Sequence, residues 1–95
     1  MDIRFEWDEN KNKINISKHG INFNEASSVF DDIDALVIPD KEHSVVEDRF
    51  LILGLSSLAK LLVVCHCYRV SESVIRIISA RKATRNETAQ YEGRK

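Results

Sequence analysis

Two consecutive apolar segments constrain the fold of this chain more than any other feature of its sequence. Phe50–Leu55 and Leu61–Cys65 are apolar at nearly every position, and only residues 56–60 separate them. Half-exposed strands alternate apolar and polar residues, so both segments must be covered to some degree on both faces. Because a short turn joins the longer strands Glu47–Ser56 and Lys60–Arg69, we predict a hairpin within an antiparallel sheet.

Helices before this hairpin are predicted from capping residues and from periodicity. The first, Asp8–His19, begins with an aspartate in the N-cap position, places Ile14 near its apolar side and is closed by Gly20. A second helix begins at Asn22 or Asn24, either of which can cap it, and its apolar residues recur at helical spacing.

Three further strands and a last helix complete the predicted order. Alternation and β-branched residues predict strands at Arg4–Trp7, Ala35–Pro39 and Ser73–Arg81, the last reached through a turn at residues 70–72. Thr84 caps the final helix, and Glu87 stands at the capping-box position three residues later. The order β-α-α-β-β-β-β-α predicts an α+β fold, with two N-terminal helices packed on one face of the sheet and the other face partly open.

Length and composition predict one domain, residues 1–95, because the chain is too short for two independent cores. It is 43% hydrophobic and 31% charged, typical of a compact soluble protein. No apolar run approaches the roughly 20 residues of a membrane span, and the start lacks the features of a signal peptide. We therefore expect a cytoplasmic protein without membrane contact.

The two cysteines do not predict a disulfide or a metal site. Cys65 and Cys67 lie two residues apart on a predicted strand, so they share a face in a geometry unsuited to bonding with each other. His66 between them points to the opposite face, and a tetrahedral site needs four convergent ligands. We predict buried, reduced thiols, no metal and no cofactor.

Charge is distributed unevenly along the chain. Arg69–Lys95 holds seven Lys/Arg and three Asp/Glu, a net +4, whereas Met1–Tyr68 holds seven and twelve, a net −5. A basic C-terminal third on a slightly acidic chain predicts an anionic partner, such as nucleic acid or an acidic protein. A solvated amphipathic tail is the alternative explanation.

Three sequence blocks in order, spanning Phe5 to Tyr91, resemble the BrnT family of toxins: FEWDENK, K-H-G-I-x-F-x-E-A-x-x-V-F-D-D and I-R-I-I-S-A-R-K-A-T-x-x-E. The resemblance implies a RelE-like fold and a ribosome-independent RNA endonuclease of a type II toxin–antitoxin pair. It also implies inhibition of translation and growth until a cognate antitoxin neutralises the toxin. This antitoxin would be a ribbon-helix-helix DNA-binding protein, through which alone the toxin would meet promoter DNA.

Metal-free RNA cleavage requires a base for the attacking 2′-hydroxyl, cations for the phosphate and an acid for the leaving oxygen. We predict His66 as acid or base, because the unperturbed pKa of a histidine lies near neutrality, although a histidine bonded to a backbone carbonyl in the core is the alternative. The predicted catalytic cations are Arg81, Arg76, Arg49 and Lys18.

Alternation places the two arginines of the last strand on opposite faces, unless a bulge or the strand end turns Arg81 around. We favour Arg81 over Arg76 because it lies beside two other cations. Arg49 has a competing explanation as a surface ion pair with Glu47 or Asp48. Lys18 also has a competing explanation, as a cation that stabilises the C-terminus of a helix.

Further side chains are predicted to bind RNA through charge or stacking: His19, Trp7, Lys82, Arg85 and Tyr91. Phe23 and Phe30 fall at helical spacing and are assigned to the core. A catalytically inactive module that only complexes its DNA-binding antitoxin is the alternative function. A DNA-binding regulator acting alone is disfavoured, because no helix combines a basic face with helix-turn-helix spacing.

Overall fold

The predicted hairpin lies inside a five-stranded sheet. A computed structural model describes residues 3–43, 47–69 and 73–94. Its elements are β1 (Arg4–Glu6), α1 (Glu9–His19), α2 (Phe23–Ser28), a 3₁₀ turn (Val29–Asp31), β2 (Leu36–Pro39), a second 3₁₀ turn (Lys41–His43), β3 (Phe50–Leu55), β4 (Leu61–Arg69), β5 (Val74–Lys82) and α3 (Arg85–Arg94). Every predicted helix and strand is present, and the predicted turn at 70–72 lies outside the described residues.

The strand order is β1-β5-β4-β3-β2, and the sheet is mixed. The pairs β2–β3, β3–β4 and β4–β5 are antiparallel, whereas β1 runs parallel to β5, with Arg4 opposite Val74 and Glu6 opposite Arg76. The prediction of a purely antiparallel sheet is therefore wrong. Tight hairpins fix the direction only of consecutive strands, and β1 pairs with the last strand of the chain.

The two faces of the sheet pack against different helices. On one, here called the α2 face, Phe23 and Ala26 of α2 join Val64 and Ile77 in the larger core cluster. On the other, the α3 face, Tyr91 of α3 packs with apolar residues of β3 and β4. Because both faces are covered, β3 and β4 are apolar throughout. None of the described helices has the length and apolar content needed to span a membrane.

Helix α1 packs through amides rather than through an apolar stripe. Asp8 caps it by accepting the Asn10 N–H at 2.8 Å, and Gly20 ends it at φ +71°. Ile14, predicted near its apolar side, is 54% exposed, whereas the Asn15 side chain is buried. That prediction is wrong because apolar periodicity does not reveal which backbone groups a helix must satisfy.

Asn15 satisfies the backbone of β5 where β1 does not reach. β1 pairs only with residues 74–76, so the outer edge of the rest of β5 has no strand partner among the described residues. Asn15 Nδ2 donates to the carbonyls of Ala80 and Ile21 at 2.9 Å each, and its Oδ1 accepts the Ala80 N–H at 3.0 Å. The amide therefore replaces a neighbouring strand at this point.

Candidate active site

A β-bulge determines which way the arginines of β5 point. β4 and β5 pair on both sides of Ile78, but Ile78 has no partner in β4. Arg81 lies opposite Val63 and Arg76 opposite Cys67. Val63 and Cys67 are four residues apart and share the α3 face, so the bulge brings both arginines to that face. Alternation left this outcome open, through a bulge or through the strand end, and the structure has a bulge at Ile78.

Both arginines are bound to carboxylates. Arg81 Nη1 and Nη2 donate to the two oxygens of Glu87 at 2.8 and 2.9 Å. These bonds raise the pKa of Arg81 and lower that of Glu87 to about 2. Arg76 Nη1 donates to Glu6 Oε2 at 2.8 Å, and Arg69 Nε lies 3.5 Å from the same oxygen. An RNA phosphate would have to compete with these carboxylates.

His66 lies on the α2 face and is completely buried. Its Nδ1 is 3.1 Å from the Val64 carbonyl oxygen, and its ring packs edge-on against Phe30 at 4.8 Å between centroids. Burial lowers its pKa, with the bond to Val64 partly opposing that shift. Since Arg81 lies on the other face, the structure does not bring these two predicted catalytic residues to one site. The alternative explanation of His66, a core histidine bonded to a carbonyl, describes its contacts.

Tyr68 connects His66 to the surface. The Tyr68 hydroxyl lies 3.4 Å from His66 Nε2, and the residue is 38% exposed. Phe50 packs against both rings, 5.4 Å from Tyr68 and 6.1 Å from His66 between centroids. Phe50, at the start of β3, and Tyr68 therefore both contact the buried imidazole.

An open cavity of about 360 Å³ lies at this end of the sheet, and its lining residues are Pro39, Lys41, Asp48, Arg49 and Phe50. Arg49 is also 3.8 Å from Glu47, the surface pair considered from the sequence. Phe50 is the β3 partner of His66 and directly follows Arg49. Alternation directs the Arg49 side chain to the opposite, α3 face, where its charge partly opposes the raised pKa of Cys65.

Lys41 and Tyr68 were not predicted as site residues. Lys41 could have been found from the sequence, because pairing of the Ala35–Pro39 strand with the next strand would place Lys41 near Arg49. Alternation along β4 places Tyr68 on the same face as His66, but alternation alone does not show that a hydroxyl reaches a ring nitrogen.

The C-terminal end of α1 forms a second basic region. A cavity of about 160 Å³ is lined by Lys11, Ile14, Asn15, Lys18, His19, Ile78 and Ser79. Lys18 and His19 therefore lie beside the part of β5 that contains the bulge. Whether they contact RNA stays a prediction.

The other predicted RNA ligands differ in accessibility. Lys82 and Arg85 are exposed. Trp7 is half-buried, packs edge-on against Phe23 at 6.0 Å between centroids and donates to Glu9 at 3.3 Å. Tyr91 is only 3% exposed.

The hydroxyl of Tyr91 donates to Asp32 at 2.6 Å, which raises the pKa of Tyr91 to about 12. Its position makes it part of the core under α3 rather than an accessible ligand. Cys65 and Cys67 are buried free thiols. Among the described residues, no three His, Cys, Asp or Glu side chains are grouped as a metal site would need.

The fold and the basic cavities define a small α+β protein with surfaces suited to an anionic ligand. A model of the family described as "Ribonuclease toxin, BrnT, of type II toxin-antitoxin system" matches residues 7–87, and the chain belongs to this family. Among solved structures it is similar to the Brucella abortus ribonuclease toxin BrnT, with 28% sequence identity and a TM-score of 0.68. That match covers 87% of this chain and 99% of the other. No curated protein sequence matches.

Proposed function

We propose that this chain cleaves RNA by attack of the 2′-hydroxyl, without a metal ion and without the ribosome. Membership of a ribonuclease-toxin family supports the reaction class. In the cytoplasm the toxin would inhibit translation and growth until its antitoxin binds. We propose a ribbon-helix-helix DNA-binding protein as that antitoxin, contacting promoter DNA on behalf of the pair. We also propose that the fold is RelE-like.

The observation that carries the proposal is the cavity where β2 ends and β3 begins. Lys41 and Arg49 line it beside the ring of Phe50, and His66 is the residue opposite Phe50 in β4. Guanidinium and ammonium groups meet the charge that develops on the phosphate, and the accessible part of a half-buried aromatic ring can stack on a base. In the proposed step the bond from O2′ to phosphorus forms and the bond from phosphorus to O5′ breaks, leaving a 2′,3′-cyclic phosphate.

Cations outside this cavity would hold the RNA strand. We assign this role to Lys18, His19, Lys82 and Arg85, whose charges lie at the surface or line the second cavity. Phosphate neutralisation supplies most of the affinity of such contacts and gives no sequence preference.

Purified chain should cleave a fluorescent single-stranded RNA in the presence of EDTA and in the absence of ribosomes. Arg49→Ala should lower the rate about 100-fold, the usual effect of removing a group that stabilises transition-state charge. Lys13→Ala removes one exposed cation of α1 outside both cavities and serves as the matched control. The proposal is refuted if the wild-type chain, shown to be folded, leaves the RNA intact, or if it cleaves only with added metal.

A catalytically inactive module that only complexes its antitoxin is the second candidate. The carboxylates bound to Arg76 and Arg81 favour it, because two cations of the α3 face are already neutralised. This candidate predicts tight antitoxin binding, no cleavage of RNA and no growth arrest when the chain is expressed alone.

A further inference from the structure

His43 is an exposed histidine whose ring is held by one carboxylate. It ends the second 3₁₀ turn, and its side chain is 60% exposed, whereas that of Asp40 is only 11% exposed. His43 Nδ1 lies 2.9 Å from Oδ2 and 3.2 Å from Oδ1 of Asp40. The turn itself is closed by the His43 N–H, which donates to the Asp40 carbonyl at 3.3 Å. A backbone bond and a side-chain bond thus fix the imidazole relative to the end of β2.

The contact with Asp40 determines which nitrogen of the neutral imidazole carries the hydrogen. An ionised carboxylate can only accept, so Nδ1 of His43 is the donor and Nε2 carries the lone pair. The two nitrogens lie on different sides of the ring, so Nε2 is directed away from Asp40 on a side chain that is more than half exposed. A carboxylate that orients an imidazole in this way leaves the second nitrogen able to take a proton from a substrate.

Asp40 also places His43 beside Arg49. The Asp40 N–H donates to the Arg49 carbonyl at 2.8 Å, which continues the antiparallel pairing of β2 with β3 by one residue. Side chains opposite each other in such a pair share a face, with about 5 Å between their Cβ atoms. Here it is the α3 face, where Asp40 Oδ2 lies 3.8 Å from the sulfur of Cys65. Burial raises the pKa of this thiol to about 11, Asp40 adds to the shift, and Arg49 opposes it.

We infer that His43 is the catalytic base of the RNA cleavage proposed above, and that Asp40 is the residue that positions it. The inference rests on the proposed function. Nε2 of His43 takes the proton of the ribose 2′-hydroxyl, O2′ bonds to phosphorus, and the bond from phosphorus to O5′ breaks. O5′ takes a proton from water, and the hydroxide that remains takes the proton of the imidazolium.

The positions of the nearby cations fit this assignment. Lys41 begins the turn that His43 ends, and Lys41 and Arg49 both line the cavity that is proposed to hold the phosphate. The 2′-hydroxyl and the 3′-phosphate are carried by adjacent carbons of one ribose, so a base for the first must lie close to the cations for the second. An exposed imidazole can contact RNA there directly, whereas His66 is completely buried on the other face of the sheet.

Kinetics of His43→Ala test the inference. Cleavage of fluorescent single-stranded RNA by the full chain in EDTA should lose about 100-fold in kcat with KM nearly unchanged, the contribution expected of one acid–base group. Added imidazole should restore part of the rate, because the truncated side chain leaves room at an exposed position and the free base can take the same proton. A surface ion pair without a catalytic role predicts neither the loss nor the rescue.

Asp40→Asn tests the positioning role, because it keeps the size of the side chain and removes the charge that requires a hydrogen on Nδ1 of His43. It should lower kcat about 10-fold or more, and adding it to His43→Ala should cause no further loss. Asp40→Glu, which keeps the carboxylate, should retain more of the rate. Nitrogen-15 NMR of the wild type should show the hydrogen of the neutral His43 ring on Nδ1.

Glu42→Gln is the matched control, since Glu42 is exposed in the same turn. It should cleave like the wild type, and circular dichroism and thermal unfolding establish that each variant is folded. The inference is overturned, and the proposed function left standing, by a His43→Ala variant that is fully active or whose loss imidazole does not restore. A neutral His43 with its hydrogen on Nε2 has the same consequence. A folded wild type that cleaves no RNA overturns both.

Discussion

Glu87 performs two functions with one carboxylate. Its Oε1 accepts the Thr84 N–H at 2.8 Å at the start of α3, and both its oxygens bind Arg81. The Glu87 N–H in turn donates to Thr84 Oγ1 at 3.2 Å, which completes the predicted capping box. The second partner was not predictable, because a capping box explains a glutamate at this position without reference to β5. Arg81 thereby attaches the final helix to the sheet.

The depressed pKa of Glu87 makes stability depend on pH. Its value of about 2, against the usual 4.5, means that ionised Glu87 stabilises the fold above about pH 4.5 and that this stabilisation is lost as the pH falls through about 2. The pair is partly exposed, 39% for Arg81 and 24% for Glu87, so solvent screens it. Glu87→Gln should lower the free energy of unfolding at pH 7 by about 1 kcal/mol.

Urea unfolding of wild type and Glu87→Gln, followed by circular dichroism between pH 7 and pH 2.5, measures this effect. The difference between the two proteins should shrink as the pH falls. Glu92→Gln, an exposed glutamate of the same helix, should differ little from the wild type throughout. If the difference in the free energy of unfolding between wild type and Glu87→Gln stays constant with pH, ionised Glu87 is not the source of the stabilisation.

At the scale of elements, α1 is attached to β5 by hydrogen bonds where most helices use an apolar face. The buried side chains of α1 are Asn12 and Asn15. Asn12 Oδ1 accepts the N–H of Phe23 at 2.8 Å, and Asn15 bonds Ala80 and Ile21. The two amides thus join α1 to the start of α2 and to the sheet edge. Fully satisfied networks of this kind specify one arrangement of elements.

Asn15→Ala should destabilise the protein by about 3 kcal/mol. The change leaves the N–H and carbonyl of Ala80 and the carbonyl of Ile21 without their partner, and each unsatisfied buried group costs about 1–3 kcal/mol before water compensates. Asn10→Ala, at an exposed position of the same helix, is the control and should change stability by less than about 0.5 kcal/mol. Urea denaturation measures the free energy of unfolding of both variants. Equal values for Asn15→Ala and Asn10→Ala would show that Asn15 does not hold α1 on the sheet.

At the scale of the molecule, the cations form separate regions on a chain with a net charge of −1. The cavity beside Phe50 and the groove at the end of α1 each carry two or three of them. Carboxylates bind Arg76 and Arg81, which line neither of these regions. A ligand with spaced phosphates matches this distribution better than one with a single dense charge.

The number of proposed phosphate contacts predicts the salt dependence of RNA binding. Five neutralised phosphates, one for each lysine and arginine assigned above, give on single-stranded RNA a slope of about −3.5 for the logarithm of the association constant against the logarithm of salt concentration. Fluorescence anisotropy with a cleavage-resistant 2′-O-methyl RNA between 50 and 300 mM KCl measures it. A slope steeper than about −5 would show that the paired arginines also exchange their carboxylates for phosphate.

Local signals in the sequence predicted most elements, and long-range contacts account for the errors. Caps and tight hairpins depend on residues close in sequence, and the structure has them where they were predicted: at Asp8, Gly20, Thr84 and the apolar hairpin. The parallel pairing of β1 depends on residues about 70 positions apart, which no local pattern encodes. For the site, alternation placed His66 correctly with Tyr68, but the bulge that reorients Arg76 depends on packing between strands.

The bulge also has a consequence for changes in chain length. Ile78 is the surplus residue of β5, so a chain lacking this one isoleucine would form an uninterrupted ladder with β4. Arg76 and Arg81 would then keep their side of the sheet, whereas the groove at the end of α1 would lose one of its walls. A three-nucleotide deletion would therefore alter the groove at the end of α1 and leave every lining residue of the cavity beside Phe50 in the chain.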